Sequence, residues 1–110
     1  MNDLFIDFKE NSDRVVCVVK GDIDAYHSAD LKKSIKEKLA SMTQGRLVID
    51  MSGVSYVDSA GLGTIVAILK ECRLLGKHLI LASLKSNVKR IFEMTRLDMV
   101  FKIVDTVEES

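Results

Sequence analysis

The stretch from Arg46 to Ala82 admits few folds. Residues 46–51 are apolar almost without break until Asp50, the pattern of a strand covered on both faces. A turn of small residues follows. A helical pattern then runs over 59–75, with Leu62, Ile65, Val66, Leu69 and Cys72 on one side. Ala67, Ile68, Leu74 and Leu75 make it apolar nearly all round, and Gly76 is a good C-terminal stop. Residues 78–82 read as the next strand. A strand, a buried helix and another strand form a crossover unit, which requires a parallel sheet.

The rest of the chain extends that unit. Residues 4–8 and 15–19 read as two strands around the turn-rich Asn11-Ser12-Asp13, an antiparallel hairpin. Gly21-Asp22-Ile23-Asp24 closes the second strand and opens a first helix, capped by Asp24 or Ser28. Leu31, Ile35, Leu39 and Met42 mark its inner face, Lys32, Lys33, Lys36, Glu37 and Lys38 a solvated outer one, and Gly45 its end. Residues 86–95 read as a third helix with Val88, Ile91 and Phe92 inward. Residues 99–104 read as a last strand, and 105–110 have room for one more helical turn. The order is β-β-α-β-α-β-α-β: a single α/β domain over 1–110 with a mixed, mainly parallel sheet. There is no proline, linker or repeat.

Composition narrows the function. At 110 residues and 47% apolar, the chain can bury a core without staples. Lys+Arg and Asp+Glu are both 16, a balance that argues against nucleic-acid binding and fits a monomer. Cys17 and Cys72 form no C-x-x-C pair and read as buried reduced thiols. The start lacks the basic and apolar regions of a signal peptide, and no run of about 18 apolar residues occurs. The expected setting is the cytoplasm, away from membranes.

In such sheets, binding sites gather where strands end at their C-termini. Two loops qualify, 21–26 and 52–59. Ser59 falls in the first turn of the second helix, where backbone N–H groups lack intrahelical partners and carry partial positive charge. Gly61 and Gly63 follow in the same turn. Glycine inside a helix costs about 1 kcal/mol against alanine, so two imply close approach by backbone or a partner, or tight helix–sheet packing. Neither a third dinucleotide-binding glycine nor a Walker lysine is present. Asp22, Asp24, Asp50 and Asp58 are expected at the same sheet end. Capping explains them better than a Mg²⁺ site, since calcium-loop spacing is absent.

A plain helix cap and a hydrolase nucleophile are the competing readings of Ser59. Its context is Asp-Ser-Ala-Gly, not Gly-x-Ser-x-Gly, and only His27 and His78 offer an imidazole base. His78 starts a strand at the far sheet end, and His27 reads as a solvent-facing helix residue. No catalytic residue is assigned. Met51, Met94 and Met99 read as core or rim fillers.

Leu47-Val48-Ile49-Asp50 followed by Val57-Asp58-Ser59-Ala60-Gly61-Leu62-Gly63 resembles the STAS domain of bacterial anti-sigma factor antagonists. Gly21-Asp22-Ile23-Asp24 and Val88-Lys89-Arg90-Ile91-Phe92 support the resemblance, which covers nearly the whole length. It implies a protein-binding switch. The unmodified form would bind an anti-sigma factor that is also a serine kinase, freeing a sigma factor. Phosphorylation at Ser59 would release it, and a metal-dependent serine phosphatase would restore it. ATP or ADP would belong to the kinase, so no cofactor is expected on this chain. Asp22, Asp24, Asp58, Ser59, Gly61, Leu62 and Gly63 would form the contact surface. Where many members carry a second hydroxyl residue, this chain has Ala60, which leaves one acceptor. A sensory or scaffold module of a stress-signalling complex is the alternative within the same family.

Overall fold

The structure, a computed structural model, describes residues 3–110. Its strands and helices follow the expected order: β1 (Phe5–Glu10), β2 (Arg14–Lys20), α1 (Ser28–Ser41), β3 (Arg46–Gly53), α2 (Ser59–Leu74), β4 (His78–Ala82), α3 (Ser86–Met94) and β5 (Lys102–Val104). The sheet runs β1-β2-β3-β4-β5, with β1 antiparallel to β2 and every later pair parallel. Asn11 closes the opening hairpin: its Oδ1 accepts from the N–H groups of Asp13 (2.8 Å) and Arg14 (3.0 Å).

Strand order equal to chain order has a consequence for the layers. Right-handed crossovers that all step in one direction put every helix on the same face. Leu31, Ile35 and Leu39 of α1, Ile65, Ile68, Leu69 and Cys72 of α2, and Val88 and Phe92 of α3 therefore share one core with Val15, Cys17, Leu47, Ile49, Met51 and Leu81. The apolar run of β3 is buried on both sides, as its pattern predicts, but among the described residues no second helix layer covers the other side. Val48, Ile80 and Ala82 lie there with Val16, Val104 and Val107. The tail supplies Val107 from a 3₁₀ turn over Val107–Glu109, the single helical turn expected there. Arg14 fastens that turn, its guanidinium donating to the carbonyls of Val107 and Ser110 (both 2.8 Å) and to the Ser110 hydroxyl (2.6 Å). Beside the tail an open hollow of about 520 Å³ remains, floored by Val16 and Val18 and edged by Arg14 and Asp50.

Several boundaries differ from the sequence pattern. Helix α1 stops at Ser41, and Met42 leaves in extended conformation while its side chain still plugs the core. Residues 99–101 are not strand. Arg96 adopts φ +61°, a 3₁₀ turn covers Leu97–Met99, and Phe101 N–H returns to Leu97 O (2.9 Å), so β5 starts only at Lys102. Met51 is fully buried, as expected of a core filler, whereas Met94 and Met99 are 76% and 83% exposed. Leu74 also faces solvent. Both cysteines are free and buried, and burial pushes the Cys17 thiol up to about 12 and the Cys72 thiol to about 11. Among the described residues, no helix is long and apolar enough to cross a membrane.

Candidate functional site

The loops after β2 and β3 are joined by a short backbone ladder that prolongs the sheet. Gly21 takes φ +117°, a conformation open to glycine, and its N–H donates to Gly53 O at 3.0 Å. Ile23 N–H then donates to Tyr56 O (3.0 Å) and Asp58 N–H to Ile23 O (3.2 Å), with Ile23 and Val57 in parallel register. Ile23, Val54 and Val57 are buried beneath, so both loops stand on core. This ladder delivers the chain to the start of α2 in a fixed pose.

Asp58 is the residue on which the junction turns. It occupies the N-cap of α2, and its Oδ1 accepts from Gly61 N–H at 2.8 Å. Its Oδ2 reaches across to accept from Ala25 N–H at 3.0 Å. One carboxylate thus caps the helix and staples the first loop to it. The hydrogen bond from Gly61 is the largest cause holding the Asp58 carboxyl below its usual range; partial desolvation opposes it, and the bonds from Ala25 and Ala60 add to it. Ser59 is the first residue of α2 and is exposed, and among the described residues its hydroxyl makes no hydrogen bond.

The two glycines separate. A Cβ at Gly61 would stand 1.9 Å from Ile23 O and 2.7 Å from Ile23 C, so the helix touches the first loop backbone to backbone. A Cβ at Gly63 would meet nothing within 4 Å, and Gly63 is exposed. Close packing accounts for Gly61 alone. Leu62 is half-buried against the core beside Ser59.

In the first loop, Asp22 is exposed and Asp24 is partly covered. Asp24 shapes the entry to α1. Its Oδ1 accepts from His27 N–H (3.0 Å) and meets His27 Nδ1 at 2.9 Å, while Ser28 donates its hydroxyl to Asp24 O (2.6 Å). His27 is therefore not a solvent-facing helix residue: it sits at the N-cap of α1, only 7% exposed. The helical pattern hid this, because the ring belongs to the turn before the helix. His78 opens β4 beside Arg46, at the sheet end away from Ser59, as expected. The fourth carboxylate also separates. Asp50 alternates away from the core onto the hollow side and accepts from Ser52 N–H (3.0 Å), and among the described residues no three His, Cys, Asp or Glu side chains converge for a metal.

Tyr26 and Tyr56 carry no chemistry motif, and sequence reasoning passed over them. They are 67% and 53% exposed, one on each loop of the site. The available signal was that the chain has two tyrosines and both fall within these loops. The start of α3 also leans on the second loop: Lys85 Nζ donates to Ser55 Oγ (2.9 Å) and Asn87 Nδ2 to Ser55 O (2.8 Å).

Comparison with known proteins places this arrangement. The family model for the STAS domain matches residues 5–110. The anti-sigma-B factor antagonist of Listeria monocytogenes is 34% identical over 100 residues, 89% of this chain and 86% of that one. The crystal structure of a Thermotoga maritima protein assigned as an anti-sigma factor antagonist is similar with a TM-score of 0.87 and 28% identity, covering 94% of this chain and 89% of that one. The Bacillus protein SpoIIAA, solved unphosphorylated and phosphorylated, shares the fold at TM-scores of 0.71 and 0.73 with 16% and 17% identity, over 96% of this chain and 92% and 94% of those. The chain belongs to the STAS-domain family of anti-sigma factor antagonists.

Proposed function

We propose that this chain binds an anti-sigma factor with serine kinase activity while Ser59 is unmodified, so that a sigma factor is freed. Phosphate on Ser59 ends the contact, and a metal-dependent serine phosphatase resets it. ATP or ADP sits on the kinase. Asp22, Asp24, Asp58, Leu62 and Gly63 form the contact surface together with the acceptor, and Gly61 seats the helix that presents it. The chain acts as a monomer in the cytoplasm and performs no catalysis of its own.

One observation carries the reading: Ser59 is an exposed hydroxyl at the first position of α2, beside a carboxylate that has already taken the Gly61 N–H of the helix start. A phosphoserine there carries about −1.5 to −2 charge. A helix N-terminus returns about 0.3–1 kcal/mol to an exposed anion. Here the return is smaller, because Asp58 already draws on Gly61 N–H and its carbonyl accepts from Leu62 N–H at 2.8 Å. Burying the same charge unpaired against a partner costs several kcal/mol. About 2.8 kcal/mol is a hundredfold in affinity, so the partner is rejected while the fold stays intact.

Pull-downs from the native cell with wild-type and Ser59→Asp baits, followed by phosphate mapping, test this. Expected are a kinase retained by wild type and by Ser59→Ala but lost from Ser59→Asp, and phosphate on Ser59 alone. Equal capture by all three, or modification elsewhere with Ser59 untouched, refutes it.

A further inference from the structure

The two loops of the site present a pair of aromatic rings in an acidic frame. Residues 21–28 and 52–59 contain Asp22, Asp24 and Asp58 and no lysine or arginine. From this rim rise Tyr26, 67% exposed, and Tyr56, 53% exposed. The chain has no tryptophan and no other tyrosine.

The rings stand on fixed ground. Tyr56 O accepts from Ile23 N–H (3.0 Å), and Ala25, the neighbour of Tyr26, donates its N–H to Asp58 Oδ2 (3.0 Å). The Tyr26 ring packs edge-on against His27, centroids 5.1 Å apart and planes at 76°, and His27 is held by Asp24. Aromatic side chains on rigid backbone lose little entropy when covered. Tyrosine is also enriched among the few residues that carry most of an interface's energy.

We infer that Tyr26 and Tyr56 are the two anchors of the partner contact, seated in an apolar recess of a protein whose surrounding rim is basic. This rests on the partner-switching reading and deepens it, dividing the labour within one surface. The tyrosines supply the hold, the carboxylates supply orientation and approach, and Ser59 supplies the veto. Lys and Arg side chains on the partner meet Asp22 and Asp58. Charges at the rim act on the rate of encounter, whereas buried anchors act on the rate of escape.

Binding kinetics against the kinase that the wild-type bait retains from the native cell, with ADP present, test the inference at two salt concentrations. Tyr26→Ala and Tyr56→Ala are each expected to weaken binding about thirtyfold or more, almost entirely through faster dissociation, with thermal midpoints unchanged. Tyr26→Phe and Tyr56→Phe restore most of the affinity, which a lost hydroxyl contact would not allow. Asp22→Asn slows association at low salt and leaves dissociation alone. Alanine variants that dissociate no faster than wild type overturn the inference and leave the switch standing. A native-cell pull-down in which wild type retains no kinase, or a kinase that Ser59→Asp binds as tightly as wild type does, overturns the partner-switching reading and the inference with it.

Discussion

Gly61→Ala is the substitution that most sharply tests how the site is assembled. In an isolated helix it would help, since alanine is favoured over glycine by about 1 kcal/mol. In this fold the new Cβ would lie 1.9 Å from Ile23 O, about 1.5 Å short of the 3.4 Å at which ordinary contact begins. The obstacle is backbone, so no rotamer change relieves it. Either α2 shifts or the first loop lifts. Lifting the loop strains the bonds from Asp58 N–H to Ile23 O and from Ile23 N–H to Tyr56 O. Overpacking of this kind costs about 1–3 kcal/mol, and two strained hydrogen bonds add about 1 kcal/mol each. After subtracting the helix gain of about 1 kcal/mol, the net loss is about 2–4 kcal/mol, a fall in Tm of roughly 10–15 °C for a domain of this size.

Gly63→Ala is the control, two residues along the same helix with nothing within 4 Å of the added methyl. It should gain up to about 1 kcal/mol and raise Tm by about 4 °C. Thermal and denaturant unfolding of both variants beside wild type make the comparison. Gly61→Ala at or above the wild-type Tm, or the two variants falling equally, would refute the backbone-on-backbone account of the junction. Binding adds a second readout. Since no internal packing demands Gly63, a partner that approaches this turn closely would bind the better-folded Gly63→Ala protein more weakly.

Two further outcomes follow from the same geometry. Because the Asp58 carboxyl titrates below its usual range in the folded chain, its contribution is fully present above the unfolded aspartate pKa of about 3.9 and is lost as pH falls through the lower folded value. Urea midpoints measured from pH 6 down to pH 3 should therefore drop less steeply for Asp58→Asn than for wild type, and parallel curves would remove Asp58 from the acid response. Arg14→Ala deprives the tail turn of three donated hydrogen bonds and should cost about 2 kcal/mol, with faster amide exchange in residues 104–110 and none at the Ser59 loop; unchanged exchange in the tail would mean that Val107 packing and the Arg46 bond to Ser110 O (3.2 Å) hold it without Arg14.

The alternation of strand and helix patterns was legible because each crossover needs its own apolar face, and periodicity records faces. The placement of Ser59 was legible for a related reason: an aspartate ahead of a small-residue helix start is a local signal. What escaped was what periodicity does not encode. Gly61 and Gly63 look alike in the chain, and only the path of Ile23 separates them. His27 reads as helical and outward, but Asp24 draws its ring into the turn before α1. Met94 and Met99 read as core or rim fillers, but Met94 ends α3 on its exposed side, and Met99 lies in the 3₁₀ turn after Arg96, in solvent. Asp50 lies two residues before the second loop, yet strand alternation sends it to the opposite face. The tyrosines went unremarked because an exposed ring in a polar loop matches no motif.

The position of Asp58 bears on how one hydroxyl would serve as the proposed switch. Had the cap donors been unoccupied, a phosphate on Ser59 could turn inward, bond to Gly61 N–H and present a smaller perturbation to the outside. Asp58 forecloses that route by occupying Gly61 N–H with one oxygen and Ala25 N–H with the other. The added charge is then left facing outward, next to a carboxylate that stays ionised at neutral pH, in loops that contain no lysine or arginine, with Lys85 engaged at Ser55. Asp58→Ala would free those donors. If the cap does direct the phosphate outward, phosphorylated Asp58→Ala protein should lose less affinity relative to its own unphosphorylated form than wild type does. Equal loss in the two backgrounds would assign the rejection to the phosphate alone and leave Asp58 as a structural staple.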